Sequence, residues 1–326
     1  MPAGTLQKNP VLPEIVAELQ DFPGAHASTV QNYRGGLKCY FPRSGMLLGA
    51  LKSVDDAIRE RADYCAGRVM AQFGRAILPI YASDRRSRTH VGTCTLLRID
   101  GKQFLATAAH VLDEQKHGQL WVGGEVALAP LSGRYFLTEA PDGDRKQDHH
   151  DFAVIAVGAD LADRLGNVRY IGPESVSNNR RQAEKKVLYL CVGYPNSKNK
   201  PMHATRRELN PEFWNHVGPG HLTHEAVGPW AKTTTDHLFV DIPKKQARNV
   251  QGQTINAVHP KGTSGGPVFY MGDFASPATY APDRECRPML EAIIVERYVD
   301  ARALVAVLIS TVVKATQDAV KAWSNA

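Results

Sequence analysis

Five cysteines in 326 residues, odd in number, far apart and without a C-x-x-C pair, are too scattered for a disulfide framework or a structural zinc site. Cys39, Cys65, Cys94, Cys191 and Cys286 are therefore expected as free thiols in a reducing compartment. No stretch approaches the roughly 18 consecutive apolar residues of a membrane span, and the first ten residues lack the charged-then-apolar layout of a signal peptide. The expectation is a soluble, cytoplasmic protein with no membrane partner. Charge of one sign is scarce too. Lys and Arg number 39 against 33 Asp and Glu, a net +6, and the positive residues cluster only at Arg85-Arg86-Ser87-Arg88 and Arg180-Arg181. Nucleic-acid binding needs a denser basic footprint, so no nucleic acid is expected as a partner.

What the chain does have is a globular balance of 43% hydrophobic and 22% charged residues, enough apolar material for a large core. Its length suits about two compact units. Residues 1–50 are rich in Pro and Gly and read as an irregular leader with at most one short helix near Glu14 to Gln20. From Ser53 the pattern changes. Val54, Ile58, Ala62, Cys65, Val69 and Phe73 recur at steps of three and four, which predicts an amphipathic helix over about 53–73 that packs on the neighbouring domain.

Beyond Pro79 the period becomes that of strands. Thr95–Ile99 and Gln103–Thr107 flank Asp100-Gly101-Lys102, and Asp-Gly between β-prone runs is a strong hairpin signal. Further strands are expected at Leu120–Leu128, Phe152–Val157, Lys186–Val192, Leu238–Ile242, Pro267–Tyr270, Leu290–Arg297 and Leu304–Ile309. A closing helix over 311–324 carries Val312, Val313, Thr316, Ala319, Val320 and Trp323 on one face. Strands at this density suggest an antiparallel barrel or sandwich.

Three segments carry chemistry. In Lys261-Gly262-Thr263-Ser264-Gly265-Gly266-Pro267, small residues on both sides of a serine allow a tight, exposed turn whose amides can face a developing oxyanion. In Thr107-Ala108-Ala109-His110, small neighbours let an imidazole at a strand end project as a general base. In His150-Asp151-Phe152-Ala153-Val154, a carboxylate opens an apolar strand, where it could fix a histidine tautomer. Asp148 is a nearby alternative, set aside because the apolar strand begins after Asp151. His149 and His150 are read as solvated loop residues, so no metal is expected. Each segment alone has an ordinary reading as a Gly-rich turn, a packing histidine or a strand-start Asp.

Together, and in the order His, Asp, Ser, the three segments resemble the signatures of the trypsin/chymotrypsin superfamily, closest to its bacterial, stand-alone HtrA-like branch. The resemblance covers about 90–324. It implies a mainly β fold of two six-stranded antiparallel β-barrels, here with an N-terminal helical extension and a C-terminal helix: leader and helix 1–75, first barrel about 76–180, second about 181–310. It also implies a serine endopeptidase acting on protein or peptide substrates without a cofactor. In that reading Ser264 attacks the scissile carbonyl, His110 carries the proton, Asp151 orients His110, and the amides of Gly262 and Ser264 form the oxyanion hole. Val258 and His259 fall in the specificity pocket, with small or medium apolar side chains preferred and His259 reading an acidic one if protonated. The other wall is placed at Ile293 to Arg297.

The departures from that pattern have consequences. Val111 replaces the cysteine that follows the histidine in secreted trypsins. Thr263 replaces the Asp that receives a freed N-terminus, so activation by cleavage is not expected. Too little chain follows Ser264 for a PDZ domain. A regulatory protein could dock on the N-terminal extension. The competing readings are a catalytically silent protease-fold scaffold and an esterase.

Overall fold

The computed structural model describes residues 54–83, 87–124, 127–177, 187–203, 211–220, 235–242, 258–273, 285–298 and 302–325, together with the strands at 38–39, 52–53, 246–248 and 254–256. The expected helix near Glu14 to Gln20 and the arginines at 85, 86, 180 and 181 lie outside these residues.

The strands are β1 (Lys38–Cys39), β2 (Lys52–Ser53), β3 (Ile77–Ser83), β4 (Ser87–Ile99), β5 (Lys102–Ala108), β6 (Gln119–Gly123), β7 (Leu128–Pro130), β8 (Tyr135–Leu137), β9 (Phe152–Ala156), β10 (Val187–Gly193), β11 (Met202–His203), β12 (Trp214–Pro219), β13 (His237–Asp241), β14 (Gln246–Arg248), β15 (Thr254–Asn256), β16 (Pro267–Asp273), β17 (Met289–Tyr298) and β18 (Ala303–Leu308). Among the described residues four α-helices accompany them: α1 (Val54–Phe73), α2 (Ala109–Asp113), α3 (Ala159–Leu165) and α4 (Ile309–Asn325).

The architecture is mainly β, as expected, with two antiparallel sheets, an N-terminal helix and a C-terminal helix. The second sheet has six strands in the order β12-β10-β16-β17-β18-β13. The first has eight rather than six, β7-β6-β3-β4-β5-β9-β8 with β11 added beside β4. The extra strands have two sources. The run expected as one strand at Leu120–Leu128 folds back on itself, pairing Gly123 with Leu128, and Met202 and His203 pair with Arg88 and Ser87. The hairpin expected at Asp100-Gly101 is present. Ile99 pairs with Lys102, and both turn residues are left-handed, at φ 49° and 75°, the geometry whose twist matches that of the flanking strands.

Side chains alternate along the second sheet between two buried clusters. Tyr189, Cys191, Val268, Ala292, Ile294 and Ala306 fill one face, while Leu190, Val192, Phe269, Ile293, Val295 and Val305 join the larger core on the other. A strand buried on both faces shows a continuous apolar run in place of alternation, which is how these strands read in the sequence. Helix α1 caps the larger core through Ala62, Cys65, Val69 and Phe73. The Phe73 ring stacks on Phe269 of β16 at 5.3 Å and 10°, so the helix packs on the domain. Helix α4 contributes Ile309, Val312 and Thr316. Among the described residues, Cys65, Cys94, Cys191 and Cys286 are free and buried, and no helix is long and apolar enough to cross a membrane.

Truncating Phe73 to Ala leaves a void against Phe269 at the C-terminal end of α1. A loss of about 3–5 kcal/mol of stability is expected, measured by urea denaturation against wild type.

Candidate active site

Strand β5 ends in the small residues Thr107 and Ala108, and the chain turns at once into α2. His110 thus sits in the first turn of a short helix and not at the strand end. Its backbone and ring are both held by Asp151. The His110 amide donates to Asp151 Oδ1 at 2.9 Å, His110 Nδ1 lies 2.6 Å from Asp151 Oδ2, and the Ala109 amide donates to the Asp151 carbonyl at 2.9 Å. One residue can do all three because Asp151 stands at φ 44°, left-handed backbone in which Asp and Asn are the commonest side chains after Gly. The His110 side chain is 41% exposed and that of Asp151 10%, so the ring reaches the surface while the carboxylate stays beneath it.

Asp148 is occupied elsewhere. Its Oδ2 accepts from Arg145 at 2.6 Å and from the Thr138 hydroxyl at 2.5 Å, and its Oδ1 accepts from the His150 amide at 3.1 Å. Arg145 also binds Asp113 at the end of α2 at 2.8 Å, which braces the loop that presents Asp151. His150 and His149 turn to the second sheet: the His150 ring stacks on His237 at 5.6 Å, and His237 Nε2 is 2.6 Å from the His149 carbonyl. Among the described residues no group of three or more His, Cys, Asp or Glu could hold a metal.

The Ser264 loop is built on glycines. Gly262 and Gly265 stand at φ 97° and 92°. A Cβ on Gly262 would come within 2.0 Å of Asn196 Oδ1, and one on Gly265 within 1.9 Å of the Thr93 carbonyl and 2.5 Å of Thr107 Oγ1. No side chain fits at either position. Three buried threonines of the first sheet hold this loop. Thr93 Oγ1 donates to the Gly262 carbonyl at 2.9 Å and accepts from the Tyr194 amide at 2.9 Å. Thr95 Oγ1 donates to the Gly265 carbonyl at 2.9 Å, Thr107 Oγ1 donates to the Thr93 carbonyl at 2.8 Å, and the Thr93 amide donates to the Ser264 carbonyl at 2.9 Å. Gly265 therefore packs against Thr107, three residues before His110, and the serine and histidine arrive at the same junction of the two sheets.

The amides of Thr263, Gly265 and Gly266 are spent on the carbonyls of Pro260, Ile294 and Thr263. Those of Gly262 and Ser264 have no acceptor among the described residues, which leaves two neighbouring donors at the half-buried serine. No hydrogen bond joins Ser264 Oγ to His110 among the described residues; such contacts commonly close only around substrate. Thr263 is 1% exposed and its hydroxyl donates to the Pro260 carbonyl at 2.8 Å, so its side chain is engaged within the loop. Val258 is half-buried and His259 exposed just before the loop. His259 Nδ1 accepts from the Lys261 amide at 3.2 Å. Partial burial and the charges of Arg297 and Lys261 hold His259 below the ordinary 6.5, which argues against the protonated His259 expected to read an acidic side chain.

The threonines, the His90 support beneath Gly262 and Glu296 were not singled out in the sequence. Thr93 and Thr95 are ordinary strand residues by type, and only their contacts distinguish them. His90 is 1% exposed and its Nδ1 lies 2.7 Å from Asn196 Oδ1. Burial pulls it down to about 4, so a neutral ring fills the space under the loop.

No family model matches the chain, and no curated protein does. Among the solved structures that match, three align at 13% identity. The thermostable serine protease AL20 from an extremophilic microorganism covers 72% of this chain and 91% of its own with a TM-score of 0.41. The serine protease domain of the Sesbania mosaic virus polyprotein covers 74% and 91%, TM-score 0.40. A structure describing the coupled folding and binding of the intrinsically disordered Sesbania mosaic virus VPg protein covers 73% and 88%, TM-score 0.39. Likeness at this level transfers no residue roles.

Two outcomes are expected. Thr93→Val keeps the shape and removes the hydroxyl, leaving the buried Gly262 carbonyl and Tyr194 amide unpaired; about 1–3 kcal/mol of stability should go, read by denaturation, together with reactivity of Ser264 toward an acylating probe. For His110, burial alone would depress the ring's proton affinity, but the hydrogen bond and charge of Asp151 and the charge of Glu296 outweigh it and place His110 above 6.5. A general base must be neutral, so probe reactivity of Ser264 should rise with pH through a midpoint above that value, and a midpoint below it would contradict the assignment.

Proposed function

We propose that this protein is a serine endopeptidase that hydrolyses peptide bonds through an acyl-enzyme. The observation that carries the reading is the double contact of Asp151 with the His110 backbone and ring, set beside a glycine loop whose Gly262 and Ser264 amides have no acceptor among the described residues. In the reaction Ser264 Oγ attacks the scissile carbonyl and its proton passes to His110 Nε2. Asp151 accepts from Nδ1–H, which fixes the tautomer and stabilises the imidazolium. The carbonyl oxygen gains its negative charge opposite the Gly262 and Ser264 amides. His110 then gives the proton to the leaving amine, and water repeats the sequence to release the acid. Every group needed belongs to the chain, and no cofactor enters a step.

The branch we infer is the bacterial, stand-alone one, supported by Val111 and by the internal engagement of Thr263, which together remove the disulfide and the activating ion pair of the secreted enzymes. Free, buried thiols at Cys65, Cys94, Cys191 and Cys286 suit a reducing compartment, and we place the protein in the cytoplasm. Residues 1–75 remain the proposed docking region for a regulatory protein.

A fluorophosphonate probe should label wild type and not Ser264→Ala. Peptides should be cleaved in preference to simple esters; the reverse preference would favour an esterase, and absence of labelling a silent scaffold. Ser264→Ala and His110→Ala should each lose at least about four orders of magnitude in kcat/KM. Asp151→Asn should lose about 10⁴-fold through the wrong tautomer, while Asp148→Asn, whose partners are Arg145 and Thr138, should not reproduce that loss.

A further inference from the structure

Strand β17 runs directly beside the serine loop. The Gly265 amide donates to the Ile294 carbonyl at 2.6 Å, and the Ile294 amide to the Gly266 carbonyl at 2.8 Å. Immediately after this contact the strand bulges. Ile294 pairs with Ala306 and Glu296 with the adjacent Val305, so Val295 has no partner on β18. Bulges are common beside active sites, where they re-aim a side chain. Ile294 and Val295 are both buried, at 1% and 0% exposure, and Glu296 is delivered to the surface two residues from the loop contact.

Among the described residues Glu296 forms no ion pair or hydrogen bond, and the charges that act on it are those of Asp151 and His110. Of the nearby cations, Arg145 is bound to Asp113 and Asp148 and acts on His110, while Arg297 and Lys261 act on His259. Asp151 and Glu296 are the carboxylates that act on His110. The enclosing walls thin the hydration of the Glu296 carboxylate, and with Asp151 this holds it above the ordinary 4.5. A carboxylate so placed gains from any cation brought to it.

We infer that Glu296 is a specificity-determining residue that selects a Lys or Arg side chain of the peptide substrate at a position next to the scissile bond. This rests on the proposed endopeptidase activity. Glu296 belongs to the wall expected at Ile293 to Arg297, so the charge comes from this strand and not from the uncharged Val258.

The test uses the full chain. Fluorophosphonate labelling of wild type, absent in Ser264→Ala, first establishes the nucleophile; if it fails, the endopeptidase reading falls and not the subsite alone. Peptides from a denatured proteome are then profiled by mass spectrometry, and the best-cleaved sequence is synthesised with Lys, norleucine or Glu at each position flanking the cut. Wild type should prefer Lys to norleucine at one such position by about fivefold to tenfold in kcat/KM. Glu296→Gln should abolish that ratio, and Glu296→Lys should invert it in favour of Glu. With labelling intact, a Lys-to-norleucine ratio unchanged in both variants overturns the inference. An equal loss on all peptides also overturns it, because Glu296 would then act on the His110–Asp151 pair and not on the substrate.

Discussion

Thr93 spends every hydrogen-bonding group it has on the junction of the two sheets. Its amide holds the Ser264 carbonyl, its carbonyl receives Thr107, and its hydroxyl stands between the Gly262 carbonyl and the Tyr194 amide. The serine loop makes its own turn bonds from Thr263 and Gly266, but its glycines leave the backbone permissive. Contacts from β4 restrict it further. Thr95 repeats the contact one pleat along, which is possible because alternate residues of a strand face the same way. What the loop offers to a substrate therefore depends on a strand that belongs to the other sheet and lies far away in the chain.

That the brace is made of hydroxyls rather than charges fits its place. A buried ion pair at the junction would carry a desolvation cost that its attraction need not recover, and would add a strong field next to His110 and Asp151. Threonine hydroxyls satisfy the loop carbonyls with no net charge. The negative charge that acts on the histidine comes from Asp151 below it and from Glu296 on the strand that follows the serine loop. The neutral, buried His90 fits the same plan, filling volume under Gly262 without contributing a positive charge.

Helix α1, the Asp100-Gly101 hairpin and the strands from Pro267 onward were legible because their signals are local. They rest on a face repeated every third or fourth residue, a turn dipeptide with its own backbone preference, and apolar runs buried on both faces. Strand β3 was largely missed: it follows α1 after three residues and contains Pro79, which reads as a break. Strand β12, Trp214–Pro219, was hidden by its Gly and Pro at the far end, and β6 and β7 were merged because their reversal falls in a short Gly-containing segment. In the site, His110, Asp151 and Ser264 were visible because small or glycine neighbours mark them. Thr93, Thr95 and Glu296 were not, since a threonine or a glutamate in a strand is unremarkable by type. Their meaning lies in register, and in the case of Glu296 in one unpaired residue that no local pattern announces.

The left-handed backbone of Asp151 separates the making of the fold from the making of the reaction. Most side chains resist φ 44°, but asparagine accepts it about as readily as aspartate, and its side-chain oxygen can still receive the His110 amide. The position therefore tolerates one neighbouring amino acid that preserves the architecture while discarding the negative charge. A descendant carrying that exchange would keep the His110 amide contact and the braced loop while losing the charge beneath the ring. Under the proposed function, a single residue thus separates a peptidase from a protein that holds peptides and cuts them far more slowly.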